Sequence, residues 1–231
     1  MKKDYALFIK AVEALPAPPA KRTAQIAWLI RQEYPAVDLA FWDLSEFLPV
    51  FHNVRRQMVF IECDQMAHES VLRLLANAPE TKDFLVYAGD RKPKTVNESW
   101  AMAKSTEEIR DVIVLVGRKD FKKDMLVPGF DGVFIPSVER RLADVLAYSL
   151  RGWLPIPPFE ATDLLRSLIL AGKIQLPELQ GHLARRYLGK YLDYVVFYLV
   201  DSKELDASKV DPRYVESGRL YAQALKGAEG L

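Results

Sequence analysis

The chain has 231 residues, half of them apolar and 27% charged, the composition of a globular protein long enough to bury a core. Its 32 Lys and Arg against 31 Asp and Glu leave a net charge of +1, so the total makes no case for a polyanion partner. A lone cysteine, Cys63, excludes an internal disulfide and a cysteine-built zinc site, and His52, His68 and His182 show no ligand spacing.

Residues 4–14 (DYALFIKAVEA) predict a first helix, with Tyr5, Phe8, Ile9 and Val12 on one stripe. The prolines of LPAPP end it. This opening carries Asp4 and Glu13 and no continuous apolar stretch, so it is not read as a signal peptide. No run reaches the ~18 apolar residues of a membrane span, and a cytoplasmic protein is expected. A second helix fits Thr23 to Glu33, with Thr23 as its N-cap and Ile26, Ala27, Leu29 and Ile30 inward. Asp38 is placed to cap a third, Leu39 to Leu48, with Trp42 near its middle. Val50 to Asn53 and Gln57 to Glu62 then read as two strands around a turn holding Arg55 and Arg56. Three short helices and a hairpin follow the order of a winged helix-turn-helix; a small helical domain with a hairpin is the plainer alternative.

Residues 67–77 predict an amphipathic helix through Val71, Leu72, Leu74 and Leu75. Asp83 to Ala88, Asp111 to Val116 and Gly132 to Ile135 are β-branched and aromatic runs that read as buried strands. Ser99 to Arg110 reads as a helix between the first two. Alternating strands and helices argue for a small α/β sheet. Ser137 begins a helix, VERRLADVLAYSLR, with Leu142, Val145, Leu146 and Tyr148 inward. Beyond the rigid connector LPIPP, helices are expected at about 160–171, 177–199 and 212–226, with Pro177 in a first turn. The expected fold is mixed α/β (α+β). A winged helix-turn-helix over 1–63 precedes a small α/β domain with a helical C-terminal region over 64–231.

Catalytic motifs are sparse. Gly89 follows a strand, but AGDRKPKT lacks the closely spaced glycines of a phosphate loop. There is no Gly-Ser pair for a nucleotidyltransferase turn and no GxSxG elbow: around Ser217 the glycine positions hold Val215 and Arg219. Cys63 with His68 as base, or Glu62 and Asp83 with a lysine as a magnesium nuclease, are the enzyme alternatives, and the spacing singles out neither. No catalytic residue, metal ligand or cofactor is assigned.

Surface charge is more informative. Arg55 and Arg56 at a wing tip, and Lys21, Arg22 and Thr23 at a helix start, are candidate DNA-backbone contacts; solvated turns are the bland reading. The expected recognition helix carries Asp43 and Glu46 and no positive charge, and residues 1–80 hold 9 basic against 10 acidic residues. Both argue against tight DNA binding. Later clusters, Arg91, Lys92 and Lys94, then Arg118 and Lys119, then Arg185 and Arg186, are candidate docking surfaces for an acidic partner, or solvated faces.

Three segments together carry a resemblance. They are VFIECDQMAHESVLRLLAN (59–77), GFDGVFIPSVERRLADVLA (129–147) and DLLRSLILAGKIQLPELQGHLARRYLGKYLDYVVFYL (163–199). In this order the chain resembles the AbiEi-type antitoxins of bacterial abortive-infection systems. Ser137-Val138-Glu139-Arg140 through Asp144, and the paired-basic ARRY ending at Tyr187, are the recognisable elements. The resemblance implies an interaction protein that counteracts a nucleotidyltransferase-like toxin and represses its own operon by binding operator DNA through the winged helix, not an enzyme. It matches the wing tip to Arg55 and Arg56, the recognition helix to Leu39 to Leu48, and the motif helix to Glu139, Arg140 and Asp144. Those last charges are expected to be satisfied locally: Glu139 by the helix dipole, Asp144 by Arg140 or Arg141. A stand-alone winged-helix regulator and a metal-dependent nuclease or nucleotidyl enzyme are the other readings.

Overall fold

The computed structural model describes residues 21–47, 58–88, 111–118, 126–128, 133–151, 154 and 156–229. The expected helices at 4–14 and 99–110, the strand at 50–53, and Arg55 and Arg56 lie outside them. The chain divides into two compact units, Met1–Ser137 and Val138–Leu231. The division expected after residue 63 falls instead inside a strand of the first unit.

The described part of the first unit is mixed α/β: α1 (Lys21–Glu33), β1 (Leu39–Asp43), β2 (Met58–Asp64), α2 (His68–Asn77), β3 (Phe84–Ala88), β4 (Asp111–Arg118), β5 (Leu126–Pro128) and β6 (Phe134–Pro136). Its six strands form one sheet in the order β3-β4-β2-β1-β6-β5. β1 pairs antiparallel with β2, β2 and β3 pair parallel with β4, β1 pairs parallel with β6, and β5 is antiparallel to β6.

The helix expected over Leu39 to Leu48 is corrected. Leu39–Asp43 is an interior strand, buried along its whole length, and Leu44–Phe47 is a single 3-10 turn. A short continuous apolar run fits a buried helix and a doubly covered strand equally, so periodicity could not separate them. The recognition-helix assignment falls with it, and β2, expected as a wing strand, has β1 as its antiparallel partner.

Side chains alternate with period two across this sheet. On one face Leu39, Phe41, Val59, Ile61, Cys63, Ile113 and Leu115 meet Ile26 and Ile30 of α1 and Val71 and Leu75 of α2 in one core. On the other face Trp42 stacks on Phe60, its register partner, with ring centroids 4.2 Å apart. Thr23, expected as the cap of α1, sits inside the helix instead. It is fully buried, and its hydroxyl donates to Asp43 Oδ2 at 2.6 Å.

The second unit is helical: α3 (Val138–Leu150), α4 (Pro158–Leu170), α5 (Leu176–Ala184), α6 (Gly189–Asp201) and α7 (Pro212–Glu229). The long helix expected over 177–199 is two helices, α5 and α6. α4 ends at Gly172, whose φ of 64° sets the left-handed turn that lets Lys173 N–H reach the Leu168 carbonyl. α5 ends in the same way, but its left-handed residue is Tyr187, at φ 62°. Among the described residues no helix is long and apolar enough to cross a membrane.

Candidate functional site

The motif residues of α3 converge on α5. Glu139 is buried near the start of α3, and its Oε1 accepts the Gln175 backbone N–H at 2.8 Å, capping the first turn of α5 from a neighbouring helix. One and a half turns on, Asp144 Oδ1 accepts from Nε of Arg186 at 2.9 Å and from its Nη2. Arg186 Nη1 donates to the His182 carbonyl at 2.8 Å, in the last turn of α5, where a cation also complements the helix dipole. α3 thus holds both ends of α5 with carboxylates. The expected local pairing of Asp144 with Arg140 or Arg141 is replaced by this contact across 42 residues, while Glu139 keeps its expected place in the first turn of α3 and caps α5 as well. The pair is nearly dry, with side-chain exposures of 15% for Arg186 and 5% for Asp144.

His182 is buried beside this pair. Burial pushes its pKa below the usual 6.5, and the positive charges of Arg186 and Arg140 push the same way, against Glu178 3.7 Å off.

A second polar cluster joins α5, α6 and α7. Asp193 is buried in α6, the one charged residue within its run from Tyr191 to Val200. Its carboxylate accepts from Gln180 Nε2 at 3.1 Å and from the Ser217 hydroxyl at 2.5 Å. Gly218 makes this possible: a Cβ there would sit 2.1 Å from the Asp193 carbonyl oxygen, so only glycine lets α7 approach α6 this closely. The cluster opens on a groove of about 370 Å³ that Arg213 and Tyr214 also line. Burial, then Asp193 and Asp211, raises the Tyr214 pKa. An adjoining groove of about 410 Å³ runs along α6 and α7, lined by Lys190, Arg213, Glu216, Leu220 and Tyr221 among others.

The residues expected at sites fare unevenly. Thr23 is inside the core and cannot touch phosphate. Lys21 and Arg22 open α1, and their side chains lie outside the described ones. Arg55, Arg56, Arg91, Lys92, Lys94 and Lys119 lie outside the described residues. Arg118 is committed to Glu62, Nε to Oε2 at 3.0 Å, on the face of the sheet opposite α1 and α2. Arg186 is an internal strut, and Arg185 beside it is exposed. Cys63 is buried, with a pKa raised to about 12 by burial first and then by Asp64 and Glu62, so the thiolate that a nucleophile needs is suppressed. Among the described residues no three His, Cys, Asp or Glu side chains come together to hold a metal ion.

Sequence reasoning missed Asp193 and Gln180, and it named Ser217 and Tyr187 without giving either a structural role. A signal existed for the first: a single carboxylate within YLDYVVFYLV is out of place unless another helix supplies its donors. No family model, curated protein or solved structure matches the chain.

Proposed function

We propose that this protein is an antitoxin-like regulator that counteracts a nucleotidyltransferase-like toxin. The observation that supports it most directly is the contact of Asp144 with Arg186. These residues belong to the two short motifs on which the resemblance to AbiEi-type antitoxins rests, and the fold brings those motifs together as one buried strut. Co-expression tests the reading. A nucleotidyltransferase-like toxin encoded beside this protein is expected to arrest growth when expressed alone, and the full chain co-expressed with it to restore growth. Arrest that persists with the full chain present removes the antitoxin reading.

Repression of its own operon is the regulatory part of the same proposal. With Leu39–Asp43 a strand, it keeps backbone contacts by Lys21, Arg22, Arg55 and Arg56 and drops base readout by residues 39–48. Replacing Arg55 and Arg56 together by alanine should reduce the salt slope of operator binding by about two, at ~0.9 per phosphate contact. An unchanged slope removes Arg55 and Arg56 from the reading.

A further inference from the structure

Asp193 is a buried carboxylate that the described fold does not match with a positive charge. Asp144 meets Arg186 and Glu62 meets Arg118, each at ion-pair distance. Asp193 is only 6% exposed, and it accepts from two neutral groups, the Gln180 amide and the Ser217 hydroxyl. Among the described residues no cation pairs with it. Both of its oxygens accept, as those of an ionised carboxylate do. Two neutral donors replace only part of the water that such a charge gives up on burial.

The groove of about 370 Å³ beside it shows what would replace the rest. Asp193 and Asp211 against Arg213 leave its lining with one negative charge in excess. Arg213 is already committed to Asp211, and its side chain is 90% exposed. Gln180 and Ser217 direct donors onto Asp193, so what they leave over is acceptor. Asp193 keeps lone pairs in hand, and Gln180 Oε1, on the amide that donates to it, is buried without a hydrogen-bond partner among the described residues. An entering N–H group would remove the cost of that orphaned acceptor. Pro177 and Tyr214 add apolar surface to the same groove, whose size suits a small ligand or one long side chain.

We propose that this groove, bounded by α5, α6 and α7, binds an organic cation: the ammonium or guanidinium end of an aliphatic chain. Its N–H groups meet Asp193 and Gln180 Oε1, and its methylenes lie against Pro177 and Tyr214. The excess negative charge disfavours an anion. A divalent metal ion is disfavoured because Asp211 is engaged and no three ligating side chains gather among the described residues. The cation can come from a free amine or from a lysine or arginine of another protein, which present the same chemistry. The inference rests on the helical unit alone and does not depend on the antitoxin reading.

Calorimetric titration of the full chain tests it. The free probes are butylamine and butylguanidine; the peptide probes are acetyl-Gly-Lys-Gly-amide and its arginine analogue, each set against sodium chloride at equal ionic strength. At least one probe should bind beyond the salt control and raise Tm by about 3–6 °C at ten times its Kd. Binding of the free probes as tight as or tighter than the peptides assigns the site to a small amine; tighter peptides assign it to a protein side chain. Asp193→Asn removes the charge and keeps an acceptor, and should weaken the best probe by about tenfold or more. Arg213→Gln removes the one cation among the lining residues at an exposed position, and should tighten that probe about twofold at low salt. This second variant reads the same charge even if Asp193→Asn does not fold. An Asp193 that only joins helices predicts no Tm rise and no tightening. Probes that bind no better than sodium chloride, binding that Asp193→Asn leaves intact, or weakening by Arg213→Gln overturns the proposal.

Discussion

The two units bury charge in different ways. In the α/β unit the core is a two-sided sheet of aliphatic and aromatic side chains, and among its described residues the buried titratable groups are Asp43, held by Thr23, Glu62, held by the half-exposed Arg118, and His68, along with the buried Cys63. The helical unit buries Glu139, Arg141, Asp144, His182 and Asp193 among its leucines. A sheet takes its register from backbone hydrogen bonds and a period of two, so apolar side chains suffice to select it. Helices slide and rotate against one another at little cost when only leucines meet, and buried polar contacts that must be paired select one arrangement.

The largest effects should separate the two modes. Trp42→Ala removes the ring stacked on Phe60 and should cost about 3–5 kcal/mol in denaturant unfolding. Asp144→Ala strands the Arg186 guanidinium and should cost about 3–5 kcal/mol, for an electrostatic reason. The contrast sharpens with a double replacement. Asp144→Leu together with Arg186→Met removes both charges and should recover most of that loss, whereas no partner substitution restores Trp42→Ala. If Asp144→Ala alone is nearly neutral, the strut does not hold α5 and the comparison fails.

A smaller effect is expected at Gly218, where alanine must push α7 away from the Asp193 carbonyl. The overpacking cost is about 1–3 kcal/mol, and the Ser217 hydroxyl should lose its reach to Asp193. Unfolding of Gly218→Ala at wild-type denaturant would show that the two helices have room to spare.

The smallest effect is pH-dependent. The His182 pKa lies below 6.5 in the fold, under burial and the charges of Arg186 and Arg140. The unfolded chain therefore binds the proton more readily, and stability rises with pH across that window. The contribution is complete above about 6.5 and is lost as pH falls toward the folded value. Stability curves of the wild type and His182→Gln should diverge at neutral pH and converge on acidification. Parallel curves would place the titration elsewhere.

What was legible follows the range of the interactions. Residues 67–77, 83–88 and 111–116 declare α2, β3 and β4, because amphipathic or β-branched patterning is local and the sheet exploits it directly. Leu39 to Trp42 misled for the same reason: burial on both faces erases the period that distinguishes helix from strand. The continuous 177–199 pattern concealed the break at Tyr187, since the left-handed position there holds a tyrosine and Gly189 falls two residues later, at the start of α6. At the candidate site Glu139, Asp144 and Arg186 were visible as motif members, but their neighbours in sequence offered nearer partners than those the fold selected.

Local chemistry in the sequence determined the class of the fold, most of the helices and strands, and the absence of familiar catalytic motifs, because each depends on side chains a few residues apart. Which carboxylate meets which donor was decided only in the tertiary structure. Asp144 reaches Arg186 across 42 residues and Asp193 reaches Ser217 across 24, distances at which sequence pattern carries no geometry. Burial then makes those pairings obligatory, since a charge removed from water must find its partner wherever the packing of helices puts one.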